Sequence, residues 1–125
     1  MTKKTLTEMI MESAVPLRNP YQGTDRRVVF VCSAGLLRSA TAARIYAHKY
    51  NTRAAGSMPY ALIPLSDDLI AWADEIVFVN KENYDYTSSH VNFEDKKVVV
   101  LDIPDAYEHM HPELIKHFEK QYEPR

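Results

Sequence analysis

One short stretch constrains this chain more than any other. Arg27 leads into Val28-Val29-Phe30-Val31-Cys32, a continuous apolar run rich in valine. No polar residue alternates within it, which is the pattern of a strand buried on both faces of a parallel sheet. Such a strand needs helices on either side, and the chain supplies candidates. Arg38 to Tyr50 is alanine-rich, with Ala42, Ala43, Ile45, Tyr46 and Ala47, and reads as a helix. A short second strand covers about Thr52 to Ala55 and ends at Gly56-Ser57. Ser66 suits an N-cap for a helix over Asp67 to Trp72, its two aspartates favourable at the positive end. Glu75 to Val79 and Lys97 to Leu101 are two more buried-strand candidates. His111 to Tyr122 closes the chain as a helix with Leu114, Ile115, Phe118 and Tyr122 on its apolar side. Strands alternating with helices predict an α/β fold around a parallel sheet.

Ahead of this pattern, residues 5–15 place Leu6, Met9 and Ile10 at helical spacing, and residues 16–23 read as a Pro- and Gly-containing linker. The expected organisation is an N-terminal helix and linker over 1–23 and one α/β domain over 24–125. At 125 residues such a chain buries roughly 65–70% of its unfolded surface without disulfides or a structural metal. Its single cysteine excludes an intrachain disulfide and any C-x-x-C zinc or redox site. A formal charge of −2 gives no global attraction to nucleic acid or anionic membrane. No apolar run approaches the ~20 residues of a spanning helix, and no secretory signal is recognisable. The expectation is a cytoplasmic protein with neither a membrane nor a nucleic-acid partner.

In an open parallel sheet, ligands bind beyond the carboxyl ends of the strands. Cys32 stands there, followed by Ser33, Ala34, Gly35, Leu36 and Leu37, then by Arg38 and Ser39 at the helix start. A loop of this length lets successive N–H groups converge on one anion. Arg38 offers a planar fork for two oxyanion contacts, and a permanent positive charge favours thiolate, the nucleophilic form of cysteine. Ser39 is placed to hydrogen-bond the sulfur. These parts suit covalent attack on phosphorus.

The C-x5-R-S spacing of Cys32 to Ser39 resembles the phosphate-binding loop of cysteine-dependent protein tyrosine phosphatases, and its place after the first strand resembles the low-molecular-weight family in particular. Further segments, in the same order, are similar to that family. Arg53-Ala54-Ala55-Gly56-Ser57 looks like its second strand and turn. Ala73 to Asn83 looks like its third strand and following helix start, and Leu101-Asp102-Ile103-Pro104-Asp105-Ala106-Tyr107 like its acid-bearing segment. The resemblance implies a four-stranded parallel sheet of order 2-1-3-4 between two helical layers. It implies phosphomonoester hydrolysis without metal or other cofactor, on a phosphorylated partner such as a phosphotyrosine protein. Carried over, Cys32 is the nucleophile, Arg38 the phosphate-binding cation, and residues 33–37 and Ser39 the cradle. Asp105 aligns best with the general acid, and Asp102 is the alternative. Tyr107 is placed either to wall the cleft against an aryl group or simply to pack.

The chain departs from the family at several positions. Gly35 stands where an asparagine commonly braces the loop, so that brace comes from elsewhere or is absent. Leu37 replaces a second cysteine, while Ala40 and Ala106 replace prolines. Arsenate reduction with an external thiol, and non-catalytic phosphate or phosphopeptide binding, stay open beside hydrolysis. His109 and His111 flank Met110 before Pro112 and read as exposed capping residues rather than metal ligands. Tyr84 and Tyr86 read as half-buried loop aromatics.

Overall fold

The computed structural model describes residues 26–35, 37–61, 63–93 and 95–123. The expected N-terminal helix and linker, and Leu36 of the cradle, lie outside the described residues. Eight elements follow in alternation: β1 (Arg27–Cys32), α1 (Arg38–Ile45), β2 (Asn51–Gly56), α2 (Asp67–Trp72), β3 (Glu75–Phe78), α3 (Lys81–Ser88), β4 (Lys97–Val100) and α4 (Pro112–Gln121). The strands form one parallel sheet in the order β2-β1-β3-β4, with Cys32 opposite Gly56 and Val31 opposite Phe78.

Period-2 alternation sorts the valines of β1 onto two cores. Val28, Phe30 and Cys32 face α1 and α4, packing with Ala42, Tyr46, Leu114, Phe118 and Tyr122. Val29 and Val31 face the other way, toward Leu69 and Ile70 of α2 and toward Phe78 and Phe93. Helices therefore cover both faces, giving the three-layer α/β fold. No helix among the described residues is long and apolar enough to cross a membrane.

The helix read as running to Tyr50 stops at Ile45. Tyr46 stacks on Phe30 at a centroid distance of 5.9 Å and meets Tyr122 edge-on at 5.1 Å. The chain then turns through residues 46–49 to enter β2 beside β1, and Thr52 Oγ1 donates to Ala43 O at 2.6 Å. Tyr84 and Tyr86 lie in α3 rather than in a loop. The Asn80 side chain accepts from Glu82 N and starts that helix, and Tyr84 packs against Phe78 and Phe93. Ser66 caps α2 as expected, accepting from Leu69 N at 3.2 Å. His111 caps α4 through Nδ1, which accepts from Glu113 N, so the helix proper begins at Pro112.

Glu75, the first residue of β3, is fully buried. Its carboxylate takes Lys97 Nζ at 3.2 Å and Arg26 Nε at 3.4 Å, and accepts the Tyr122 hydroxyl. A buried charge is tolerated only when paired in this way. Burial first, and the Glu75 carboxylate second, raise the Tyr122 phenol well above its usual range.

At the same pole of the sheet, Asp74 Oδ2 accepts from the Arg27 backbone N–H at 2.9 Å, and Oδ1 from Arg27 Nη2 at 3.2 Å. The Arg27 side-chain bonds, then the backbone bond, hold the Asp74 carboxyl below its usual range. A depressed carboxyl stabilises the fold above its unfolded value, about 3.9, and loses that contribution as pH falls through the folded one. Asp74→Asn is therefore expected to melt below wild type near neutrality, with the gap closing in melts run below about pH 4.

Candidate active site

β1 delivers Cys32 to the carboxyl end of the sheet, and the following loop wraps its sulfur. Gly35 N donates to Sγ at 3.2 Å, and Ser39 Oγ in the first turn of α1 lies 3.1 Å from it. Gly35 adopts φ +82°, where a side chain is strained. The end of β2 presses on this loop: Ser57 N donates to Cys32 O at 2.8 Å and Met58 N to Ser33 O at 3.2 Å. Space is so short there that a Cβ on Gly35 would lie 2.9 Å from Ala55 C. Leu37, at the N-cap of α1, makes no side-chain bond to the first turn. The helix thus presents open N–H groups and its positive end to the loop.

Arg38 is only 4% exposed. Its guanidinium ties the cradle to the segment after β4: Nη1 donates to Ile103 O at 3.0 Å, Nη2 to Ser33 Oγ at 3.4 Å, and Nε lies 3.6 Å from Asp105 Oδ1. That segment is anchored along its length. Ile103 N continues the ladder to Val79 O, and Met110 N, at a left-handed φ of 63°, donates to Thr41 Oγ1 at 2.8 Å. Tyr107 lies with its ring against His111 and His117, and its hydroxyl is 3.3 Å from His117 Nε2. Its side chain is thereby held by α4. Asp102 is exposed at the sheet edge. Its backbone N–H donates to Gln121 Oε1 at 2.7 Å, and its carbonyl accepts from Gln121 Nε2 at 2.8 Å. With Lys81, Tyr84, Val100, Leu101 and Gln121 it lines a separate cavity of about 660 Å³.

The structure thus gathers Cys32, Ser33, Gly35, Arg38, Ser39 and Asp105 in one place. Ala34 is half-buried in the loop, and Leu37 is 42% exposed at its end. Of the two candidate acids, Asp105 is the one on the arginine.

One residue of the site escaped the sequence reading. Asn83, in the first turn of α3, is 1% exposed. Its Nδ2 donates to Ser33 Oγ at 3.2 Å and to Ser57 Oγ at 3.0 Å, joining the loops after β1 and β2. This is the brace that Gly35 cannot provide, reaching the loop from another element. The only signal for it in the sequence is the asparagine pair Asn80 and Asn83 following a buried strand.

Chemically, the arrangement offers a buried thiol that accepts the Gly35 N–H, one buried guanidinium, and a carboxyl group beside it. It can hold a tetrahedral oxyanion with its central atom over the sulfur.

No protein-family model matches the chain, and no curated protein matches it. Among solved structures, a thioredoxin-dependent arsenate reductase from Corynebacterium glutamicum is similar, with a TM-score of 0.53 and 15% sequence identity. The match covers 93% of this chain but 66% of that protein, so the chain spans a little under two thirds of its relative's length. The two chains share a fold, which in this chain is a four-stranded parallel sheet with helices on both faces.

Proposed function

We propose that the protein is a phosphomonoester hydrolase of the cysteine-dependent, tyrosine-phosphatase-like kind. The observation that carries this reading is the Cys32 sulfur held by Gly35 N–H and Ser39, with a buried Arg38 paired to Asp105. Cys32 Sγ attacks phosphorus, forming an S–P bond as the ester P–O bond breaks. Asp105, protonated, gives its proton to the leaving oxygen. The resulting carboxylate then takes a proton from water, which attacks phosphorus and releases phosphate and the Cys32 thiolate. Arg38 and the loop amides hold the equatorial oxygens, where charge resides in the transition state. Ser39 donates to the departing sulfur.

An aromatic ester suits the rim. Leu37 and Tyr60, 42% and 66% exposed, are the large exposed apolar side chains among the described residues. Both lie in loops beyond the carboxyl ends of β1 and β2, where the ring of an aryl phosphate would rest. A phosphotyrosine protein is the substrate class this favours.

The test is hydrolysis of an aryl phosphate under reducing conditions without added metal. Asp105→Asn is expected to lower kcat by about 10²–10⁴-fold, and Asp102→Asn by no more than about threefold. A larger loss for Asp102→Asn overturns the acid assignment.

A second reading has a specific observation behind it, since the structure of similar fold is an arsenate reductase and Cys32 is the only thiol here. In that reading Cys32 Sγ displaces a hydroxyl of arsenate, which leaves as water, to bond to arsenic(V), and an external thiol attacks this sulfur. Arsenic departs with the electron pair as arsenite, and a second external thiol reduces the mixed disulfide. Thiol-dependent loss of arsenate with no phosphatase activity selects it. Phosphate binding with neither activity selects a binding module.

A further inference from the structure

Ser33 Oγ accepts from two donors. Asn83 Nδ2 reaches it at 3.2 Å and Arg38 Nη2 at 3.4 Å. A hydroxyl has two acceptor sites and one proton. With both acceptor sites filled, the Ser33 proton points away from Asn83 and Arg38 alike. Asn83 is held at this junction. It is buried, its other amide proton goes to Ser57 Oγ, and its backbone N–H donates to Asn80 O at 3.1 Å. Ser33 itself is the first residue of the cradle, beside the guanidinium that would bind an oxyanion. An anion oxygen bound at Arg38 Nη2 is within reach of the Ser33 proton.

We propose that the Ser33 hydroxyl is a further oxyanion donor, added to the loop amides, and that Asn83 is the positioning residue that aims it. This rests on reading the Cys32–Arg38 loop as an oxyanion site. The Asn83 amide would thus do more than tie two loops together: it fixes the sense of a hydrogen bond. A carboxylate of the same shape would take the proton of Ser33 and turn it away from the anion.

The experiment measures how well inorganic phosphate protects Cys32 of the full chain from alkylation by iodoacetamide, which requires no turnover. Ser33→Ala is expected to weaken protection about tenfold to a hundredfold, the effect of one hydrogen bond to a charged group. Ser33→Thr, which keeps a hydroxyl, is expected to restore most of it. Asn83→Ala is expected to weaken protection comparably in the wild-type background and by less than about twofold in the Ser33→Ala background. If Asn83→Ala does not fold, Asn83→Asp replaces it in the same cycle, with its larger effect expected only where Ser33 is present. Protection unchanged in Ser33→Ala, or equal losses from the Asn83 change in both backgrounds, overturns the proposal. Failure of phosphate to protect wild-type Cys32 at all would instead overturn the oxyanion-site reading beneath it.

Discussion

Replacing Cys32 by serine is expected to lower the turnover of an aryl phosphate by on the order of 10⁵-fold while leaving the fold and phosphate binding in place. The exchange preserves shape, and the Gly35 N–H and Ser39 Oγ that hold the sulfur can hold an oxygen. What it removes is reactivity. A serine hydroxyl attacks phosphorus only when a base takes its proton, and among the described residues the groups that hydrogen-bond this position are an amide donor and another hydroxyl, neither of them a base. Arg38, the remaining charged group of the cradle, is a permanent cation. The measurement is steady-state hydrolysis with phosphate inhibition in parallel. Residual turnover within about 100-fold of wild type would remove Cys32 from the nucleophile's role. Acid quenching of wild type during turnover should trap phosphate on Cys32. The same trap in the Cys32→Ser protein should be empty.

The second large effect concerns a residue with no functional group. Gly56→Ala is expected to destabilise the protein by about 3 kcal/mol or more, the upper end of overpacking costs. A Cβ there would lie 2.5 Å from Ser33 O, 2.6 Å from Ala34 C and 2.5 Å from Ala61 Cβ. Two of these atoms belong to the backbone of the loop after β1, which cannot rotate away as the end of a flexible side chain would. The added methyl must therefore push β2 from β1 or displace Ser33 and Ala34. Either movement displaces the loop that holds the Cys32 sulfur. The thermal midpoint should fall by about 10 °C for a domain of this size, and kcat/KM should fall with it at temperatures where the variant is folded. A midpoint within about 2 °C of wild type would show that the loop yields more easily than its contacts imply.

Much of the fold is legible because its causes are local. The valine run of β1, the Ser66 cap of α2 and the apolar stripe of α4 each state their structure within a few residues. The core of the site is legible for the same reason: Cys32, the loop and Arg38 are contiguous, and a strand followed by a helix places them at one end of a sheet. What could not be read depends on segments meeting in space. Asn83 reaches Ser33 across fifty residues of sequence and Ser57 across twenty-six. Thr41 receives Met110 N–H from sixty-nine residues away. Glu75 looks like an acidic strand end until Arg26, Lys97 and Tyr122 arrive from three other places. The overlong reading of α1 has a similar origin, since helix propensity continues past Ile45 but Tyr46 is committed to the aromatic core.

The Gln121 amide at Asp102 bears on how the sheet ends. Leu101 and Ile103 turn their N–H groups inward, to Phe78 O and Val79 O, so the backbone groups of Asp102 between them face outward from the last strand. Gln121 offers a carbonyl and an N–H in the positions a neighbouring chain would use, and satisfies both. At the other end of β4, Lys96 Nζ donates to Ala71 O and Ala73 O and Lys97 Nζ pairs with Glu75, so both side chains reach toward α2 and β3. An unpaired edge is a template for intermolecular pairing, and charge or local capping blunts it. A surrogate strand one residue long thus satisfies the outward backbone groups where the sheet's fourth strand ends, leaving no template for pairing at that point.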